Sequence, residues 1–291
     1  MSSIRPRRSV LYMPGSNARA LEKARGIDAD ALILDLEDAV APDAKDLARR
    51  QVADAVAARG FGKREVVVRV NALSTPWAEA DLAAAVAAGP DAILVPKISV
   101  PGDLVAVEER LDHLDAPATI AVWAMVETPL AILHIASLAA AGGRLACFVM
   151  GTNDLIKELR GAHTPDRANL AAALGLSVAA ARAHGLSAID GVFNDIQDTD
   201  GFSHQCRQAK AFGFDGKTLI HPTQVEPCNA IFAPTPEEVI AARQLIAAFE
   251  LPENQGKGAI KLDGRMVELL HAEIARRTVA LAEAIEALER S

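Results

Sequence analysis

Cysteine is scarce in this chain, and its histidines form no metal-binding pattern. The three cysteines, Cys147, Cys206 and Cys228, are widely spaced along 291 residues and form no CxxC pair. An odd number of separated cysteines indicates neither a disulfide framework nor a zinc site. The seven histidines include no HxH or HExxH motif. We therefore expect a protein that folds around its hydrophobic core in a reducing cytoplasm.

Excess basic charge and long apolar runs are also missing. The net charge is −8 and the pI is near 5.4, whereas a nucleic-acid backbone requires a concentrated basic face. No uninterrupted apolar stretch approaches the roughly 18 residues of a membrane helix. The first ten residues, MSSIRPRRSV, lack the apolar segment of a signal peptide. These absences disfavour nucleic-acid and membrane partners, and they indicate a cytoplasmic protein.

What the chain has is a regular alternation of two patterns. Short apolar runs rich in β-branched residues alternate with longer helical stretches rich in alanine and leucine, and successive strand ends fall roughly 20 to 35 residues apart, as in a βα repeat. Hydrophobic residues make up 51% of the chain. The predicted strands lie near 10–13, 31–34, 65–70, 92–95, 120–126, 147–150, 188–190 and 216–220.

Eight such units predict an α/β protein, a (β/α)8 TIM barrel with a C-terminal helical extension. Strands bounded by helices indicate a parallel sheet that is buried on both faces. An open sheet has the same periodicity, but no GxGxxG motif follows the first strand. We assign residues 1–250 to the barrel, and residues 251–291 to a linker and a last helix near 265–288.

Catalytic groups in a barrel come from the carboxyl ends of its strands. Glu127 and Asp154 follow two neighbouring predicted strands, so their carboxylates can meet. Two close carboxylates repel one another, and a hard cation such as Mg²⁺ removes that conflict. The alternatives are a helix cap for Glu127, before Pro129, and turn chemistry for Asp154.

A second charged group surrounds the ends of the second and third strands. Arg69 follows an apolar run, and an unpaired buried guanidinium would be costly, so it must meet a carboxylate or a ligand. Asp35, Glu37 and Asp38 are candidates, either as turn residues or as support for Arg69 and for the water molecules of a metal ion. Lys97 either neutralises a substrate anion or pairs with an acid.

Five motifs together resemble one family. They cover nearly the whole chain in order, and they are similar to those of the citrate lyase beta-subunit-like family, within the HpcH/HpaI aldolases and citrate lyases. The motifs are RSVLYMPGSN (8–17), LILDLEDAV (32–40), VRVN (68–71), FDGKTLIHP (214–222) and DGRM (263–266).

The resemblance implies a Mg²⁺-dependent barrel that assembles as a homotrimer or hexamer. It also implies a small-molecule substrate, a malyl, citramalyl, methylmalyl or citryl thioester of coenzyme A or of a carrier protein. By position, Glu127 and Asp154 match the metal ligands of the family, and Glu127 also contacts the substrate. Arg69 matches its catalytic, substrate-binding arginine. Asp263 matches a catalytic acid that the C-terminal segment supplies to a neighbouring subunit; the alternative is a plain N-cap of the last helix.

The expected activity is that of a carbon–carbon lyase acting on a 3-hydroxyacyl thioester. One alternative is a thioesterase on the same scaffold, and another is a carrier-dependent citrate lyase beta subunit that is inactive alone. A class II pyruvate aldolase is disfavoured, because the run from Asp35 to Asp38 lacks the histidine of that class. Gly151-Thr-Asn-Asp154 stands where many members have Gly-Ala-Glu-Asp, which leaves the substrate open.

Overall fold

Eight parallel strands close into a barrel in the computed structural model, which describes residues 4–262 and 264–290. Each strand pairs with the next one along the chain, and the eighth pairs with the first. The predicted (β/α)8 barrel is therefore confirmed. The strands are β1 (Ser9–Pro14), β2 (Ala31–Asp35), β3 (Glu65–Arg69), β4 (Ala92–Val95), β5 (Ala121–Val126), β6 (Leu145–Met150), β7 (Ser187–Asp190) and β8 (Gly216–Leu219).

Helices follow every strand of the barrel, and they depart from the prediction in several places. The helix expected over 129–140 is divided at His134, and the one expected from Arg167 begins later, because Arg167 has a left-handed φ of 51°. Two further helices were not predicted: α7 follows β6 directly, and α10 follows β8. The helices are α1 (Ala18–Ala24), α2 (Lys45–Ala57), α3 (Ala78–Ala88), α4 (Pro101–His113), α5 (Pro129–Leu133), α6 (Ile135–Ala139), α7 (Thr152–Glu158), α8 (Ala171–Ala183), α9 (Thr199–Phe212) and α10 (Val225–Phe232).

Alternate residues of each strand point into the barrel, because successive side chains of a strand face opposite sides. The inward positions form one apolar cluster that includes Ile33, Val67 and Met125. Asp35, Arg69 and Glu127 come two residues after Ile33, Val67 and Met125, respectively. Their side chains therefore face the same inward side. The polar site is therefore the next inward layer above the apolar core, at the carboxyl ends of the strands.

The described chain divides into two compact units, residues 7–230 and residues 4–6 with 231–290. The second unit contains α11 (Pro236–Glu250), β9 (Ala259–Leu262), β10 (Arg265–Glu268) and α12 (Leu269–Glu289). Its small core packs Phe249 of α11 against Ile260 of β9 and Ala272 of α12. None of the helices described here has the length and apolar composition needed to cross a membrane.

The last helix starts later than predicted. Residues 265–268 pair with residues 259–262 as an antiparallel hairpin, and Gly264 in its turn has a φ of +79°, a conformation that glycine adopts without steric cost. The helix expected from Arg265 therefore begins only at Leu269. Glu268 occupies its N-cap position, so the alternative that Asp263 caps this helix is wrong. Asp263 itself lies outside the described residues.

Candidate active site

Asp35 and Arg69 form a buried ion pair at the ends of β2 and β3. They are register partners in the parallel sheet, so their side chains point the same way from adjacent strands, which lie about 4.8 Å apart. Arg69 Nε donates to Asp35 Oδ1 at 2.7 Å, and Arg69 Nη2 donates to Asp35 Oδ2 at 2.7 Å. This two-point contact fixes the plane of the guanidinium.

The remaining contacts of Arg69 complete its environment. Nη1 lies 2.7 Å from Glu37 Oε2 and 3.7 Å from Asp38 Oδ2, and it donates to Met125 Sδ at 3.7 Å. The guanidinium carbon lies 4.7 Å from the centre of the Tyr12 ring, within the range of a cation–π contact. Arg69 thus meets the carboxylates of the 35–38 segment, one of the two kinds of partner that the sequence left open.

Asp35 carries a charge although it is fully buried. Burial alone would raise its pKa, but the Arg69 guanidinium holds the pKa of Asp35 below its ordinary value. The backbone N–H groups of Glu37 and Ala39 also donate to its two oxygens, at 2.9 and 3.0 Å, and they stabilise the ionised form further. The pair is therefore ionised on both sides and rigidly held.

Glu37 behaves differently from Asp35. Burial raises the pKa of Glu37 to about 8; Arg69 opposes this, while the charges of Asp38, Glu127 and Asp35 add to it. Because Asp35 already neutralises Arg69, the guanidinium compensates Glu37 only in part. Glu37 Oε2 makes no hydrogen bond in spite of its short distance to Arg69. The pKa of Glu37 therefore lies well above the acidic range of an exposed carboxyl group.

Lys97 joins the two carboxylates that the sequence singled out. Its backbone N–H donates to Glu127 Oε1 at 2.8 Å, and its Nζ donates to Asp154 Oδ1 at 2.7 Å. The same Nζ lies 3.5 Å from Glu127 Oε1. Both carboxylates therefore contact the same cation, the Lys97 ammonium group. Of the two roles predicted for Lys97, the structure shows the pairing with an acid.

Local backbone structure positions each of these three residues. Glu127 directly follows β5, and a Cβ added to Gly151 would stand 2.5 Å from Glu127 Oε2, so only glycine leaves room for this carboxylate. Asp154 lies in the first turn of α7, where the helix dipole favours a negative charge. Lys97 has a φ of 58°, and this left-handed conformation turns the chain after β4.

Glu127 does not cap a helix, and Asp154 does not lie in a turn, so neither alternative interpretation of these two acids agrees with the structure. Thr128, which follows Glu127, is the N-cap of α5 and accepts a hydrogen bond from the backbone N–H of Ala131. Asp154 lies in a helix and bonds to Lys97. At 2% exposure, Glu127 is a buried carboxylate whose pKa is raised, first by burial and also by the charge of Asp154, against the opposing effect of Lys97.

The pair suits a hard divalent cation in its donor chemistry. The position between Glu127 and Asp154 stabilises positive charge, since an ammonium group lies there. Mg²⁺ commonly takes one or two protein carboxylates and completes its shell with water and substrate oxygens. Within residues 4–262 and 264–290, no group of three or more His, Cys, Asp or Glu side chains is arranged to hold a metal. Glu127 and Asp154 supply the carboxylate oxygens that Mg²⁺ commonly takes from a protein.

Two cavities meet beside these residues. One, of about 310 Å³, is lined by Tyr12, Asp35, Arg69 and Asp154, among others, and so connects both charged groups. The other, of about 360 Å³, has apolar lining from residues such as Ile156 and Phe193.

Asn153 and Asn194 line both cavities. Each amide donates to the other, Asn153 Nδ2 to Asn194 Oδ1 at 3.1 Å and Asn194 Nδ2 to Asn153 Oδ1 at 2.9 Å. This amide pair links the segment after β6 to the segment after β7, and it belongs to the lining that the two cavities share.

The sequence missed several residues that line the site. Tyr12 and Met125 occupy inward strand positions, so the parity of β1 and β5 could have identified them. Asn194 lies beyond β7 and carries no signal of its own, because its partner Asn153 is 41 residues away. Asp263, predicted as a catalytic acid, is outside the part of the chain that the structure describes.

Comparison with known proteins assigns the chain to a family. Residues 8–222 match the model of the HpcH/HpaI aldolase/citrate lyase family. The chain belongs to this family. The match spans the whole barrel from β1 to β8, and it includes every site residue described above.

Individual members of the HpcH/HpaI family resemble the chain over almost its full length. A (3S)-malyl-CoA thioesterase of Cereibacter sphaeroides is 50% identical over 98% of both chains. The citrate lyase subunit beta of Escherichia coli is 35% identical, covering 96% of this chain and 94% of its own.

A solved structure agrees with this assignment. The crystal structure of CitE from Mycobacterium tuberculosis in complex with magnesium, acetoacetate and coenzyme A is 30% identical. It covers 96% of this chain and 99% of its own, with a TM-score of 0.74. A second structure, of the citrate lyase beta subunit from the same organism, is complexed with oxaloacetate and magnesium. Structural relatives thus bind magnesium, and this chain is an enzyme of their family.

Proposed function

We propose that this protein is a Mg²⁺-dependent thioesterase that hydrolyses a malyl-type 3-hydroxyacyl thioester of coenzyme A. The observation that carries the proposal is 50% identity, over 98% of both chains, to (3S)-malyl-CoA thioesterases. The citrate lyase beta subunits are 33–35% identical. The similarity therefore favours the thioesterase over the carbon–carbon lyase that the sequence motifs first suggested.

The geometry of the site is compatible with both reactions. Hydrolysis forms a bond between a water oxygen and the carbonyl carbon, breaks the bond to sulfur, and releases a carboxylic acid and the thiol of coenzyme A. Lyase cleavage breaks a carbon–carbon bond and leaves the thioester intact. Both reactions build negative charge on the thioester oxygen, so both need a fixed cationic donor beside that oxygen.

Arg69 is the residue that we assign to this role. It lines the 310 Å³ cavity, and its two bonds to Asp35 hold the guanidinium in place before any substrate arrives. A donor held in this way needs no reorganisation as the charge develops. Asp35 and Glu37 act through Arg69, and the more exposed Asp38 lies at the edge of the same group.

Glu127 and Asp154 are the proposed ligands of the metal ion. These residues would hold Mg²⁺, which would polarise the acyl oxygens as a Lewis acid. Glu127 brings a carboxylate from the buried floor of the site, whereas the Asp154 side chain is 30% exposed and stands at the cavity. The acyl group is expected to bind between Asp154 and Arg69, which line the same cavity.

The test separates the two reactions by their products. With (3S)-malyl-CoA and Mg²⁺, hydrolysis releases a free thiol, which a thiol-reactive dye detects, and produces no glyoxylate. Lyase cleavage gives glyoxylate, trapped with phenylhydrazine, and acetyl-CoA without a free thiol. Thiol release that depends on Mg²⁺ and is lost in Asp154→Asn supports the proposal. Glyoxylate with no thiol would instead identify a lyase.

The same assay also defines the substrate and the carrier. Citramalyl, methylmalyl and citryl thioesters show which acyl group the enzyme accepts. Turnover of coenzyme A thioesters by the purified chain excludes a carrier-dependent subunit that is inactive alone. The role of Asp263 as an acid supplied by a neighbouring subunit stays a prediction. The trimeric or hexameric assembly is also a prediction, and light scattering after size-exclusion chromatography tests it.

A further inference from the structure

We infer that Lys97 is an internal counter-ion for the two proposed metal ligands, and that a divalent cation must displace its ammonium group in order to bind. This inference rests on the proposed metal site, and it concerns a residue to which the proposed function gives no role. The inference is based on the position of Lys97 Nζ, which lies 2.7 Å from Asp154 Oδ1 and 3.5 Å from Glu127 Oε1.

The two acids carry charges that need compensation. Glu127 is 2% exposed, so its carboxylate obtains little stabilisation from water, and Asp154 adds a second negative charge nearby. Without a cation, one of the two carboxylates would take up a proton. The Lys97 ammonium removes that conflict and keeps a preformed pair of carboxylates.

Lys97 is held by its backbone more firmly than by its side chain. Its backbone N–H donates to Glu127 Oε1 at 2.8 Å, an anchor that does not depend on the side chain. The side chain is 36% exposed and has a flexible four-carbon stem, so its ammonium can move into solvent while the backbone contact remains. Lys97 therefore combines a fixed contact to Glu127 with a releasable one to Asp154.

The ammonium group and a metal ion compete for the same oxygens. A metal ion that binds Asp154 and Glu127 needs the lone pairs that the ammonium group uses, and the two cations repel at short range. The ammonium therefore weakens Mg²⁺ binding. A charge-assisted hydrogen bond of this kind corresponds to roughly a tenfold change in affinity.

The experiment compares Mg²⁺ binding by calorimetry in the full-length wild type, Lys97→Met and Lys23→Met. Lys97→Met keeps the length and the backbone N–H but removes the charge, and we expect it to bind Mg²⁺ roughly tenfold more tightly. Lys23 is exposed on α1, so Lys23→Met makes the same change in net charge elsewhere and should leave the affinity within about twofold. An unchanged or weaker affinity in Lys97→Met would overturn the inference.

A second measurement needs no variant and tests displacement directly. Brief reductive methylation of the wild-type protein, read by peptide mass spectrometry, reports how accessible each lysine amine is. We expect Lys97 to react several times faster with saturating Mg²⁺ than with chelator, and Lys23 to react equally in both. Lys97 labelling that Mg²⁺ leaves unchanged or slows would show that the ammonium is not displaced.

Failure of the metal site is distinguishable from failure of this inference. If wild type binds Mg²⁺ no better than Asp154→Asn, the proposed ligands are wrong. If wild type binds Mg²⁺ and Asp154→Asn does not, while Lys97→Met matches wild type, then the ligands stand and the counter-ion role of Lys97 is wrong.

Discussion

Replacing Glu37 by glutamine should change how the stability of the barrel depends on pH. Burial, only partly opposed by Arg69, raises the pKa of Glu37 from 4.5 to about 8 in the folded protein. Between these two pH values the folded state holds a proton that the unfolded state has lost. The free energy of unfolding therefore falls as pH rises through this window, and the stabilisation is complete only below it.

The magnitude follows from the width of the window. Each pH unit contributes about 1.4 kcal/mol, so the wild type should lose roughly 5 kcal/mol between pH 4.5 and pH 8 through Glu37 alone. The Glu37 side chain is only 14% exposed, so solvent screening reduces this value little. The amide introduced by Glu37→Gln cannot ionise and resembles the protonated acid in size, so the variant should lack this contribution.

Urea unfolding in the presence of chelator, at intervals from pH 5 to pH 9, measures the difference. Both tryptophans, Trp77 and Trp123, belong to the barrel unit, so their fluorescence reports on that unit. Glu22→Gln is the matched control, because the Glu22 side chain is 72% exposed on α1. If wild type and Glu37→Gln lose stability with pH in parallel, the argument that Glu37 is protonated in the folded protein is refuted.

Four further changes test the site. Asp154→Asn keeps the shape of the side chain but removes a charge, so Mg²⁺ affinity by calorimetry should fall roughly tenfold or more; full turnover at low Mg²⁺ would contradict the two-carboxylate site. Arg69→Lys keeps the charge but loses the planar fork, so kcat/KM should fall about a hundredfold or more with Mg²⁺ affinity nearly unchanged; a near-normal kcat/KM would exclude the two-point role. Gly151→Ala places a methyl group against Glu127, so the free energy of unfolding should fall by about 1–3 kcal/mol and Mg²⁺ affinity should fall as well. Wild-type values of both quantities would show that the glycine is not required. Asn153→Ala removes the amide pair between the cavities, so activity on bulkier 3-hydroxyacyl thioesters should rise relative to malyl-CoA; an unchanged ratio would show that the pair does not limit acyl size.

Hydrophobic periodicity predicted eight βα units and a parallel sheet, and the count of eight units, together with the missing GxGxxG motif, favoured a closed barrel over an open sheet. Most strands of the barrel are short apolar runs between helices, a pattern typical of a parallel sheet that is buried on both faces. The same regularity predicted which polar residues stand at the strand ends, so Arg69, Glu127 and Asp154 were identified from position alone. The apolar run before Arg69 predicted that its guanidinium pairs with a carboxylate or a ligand, and Asp35 is the carboxylate that it contacts.

Periodicity failed where short segments are decided by contacts distant in sequence. Residues 265–268 fit a helical pattern, but they pair with residues 259–262 as a strand. Asp154 fits a loop between a strand and a helix, whereas it lies in the first turn of α7. In both places few residues are involved, so intrinsic preference is weak and the contacts with neighbouring segments prevail.

The sequence by itself determined the chemistry available at the rim of the barrel, because residue type and strand parity are both local properties. Only the tertiary structure decided how that chemistry is combined. Lys97 bridges Asp154 and Glu127 across 57 and 30 residues of sequence, and the pKa of Glu37 is raised first by burial, against the opposing charge of Arg69 on β3. Distances and desolvation of this kind depend on the closure of the barrel, which brings the strand ends together, and no local pattern encodes them.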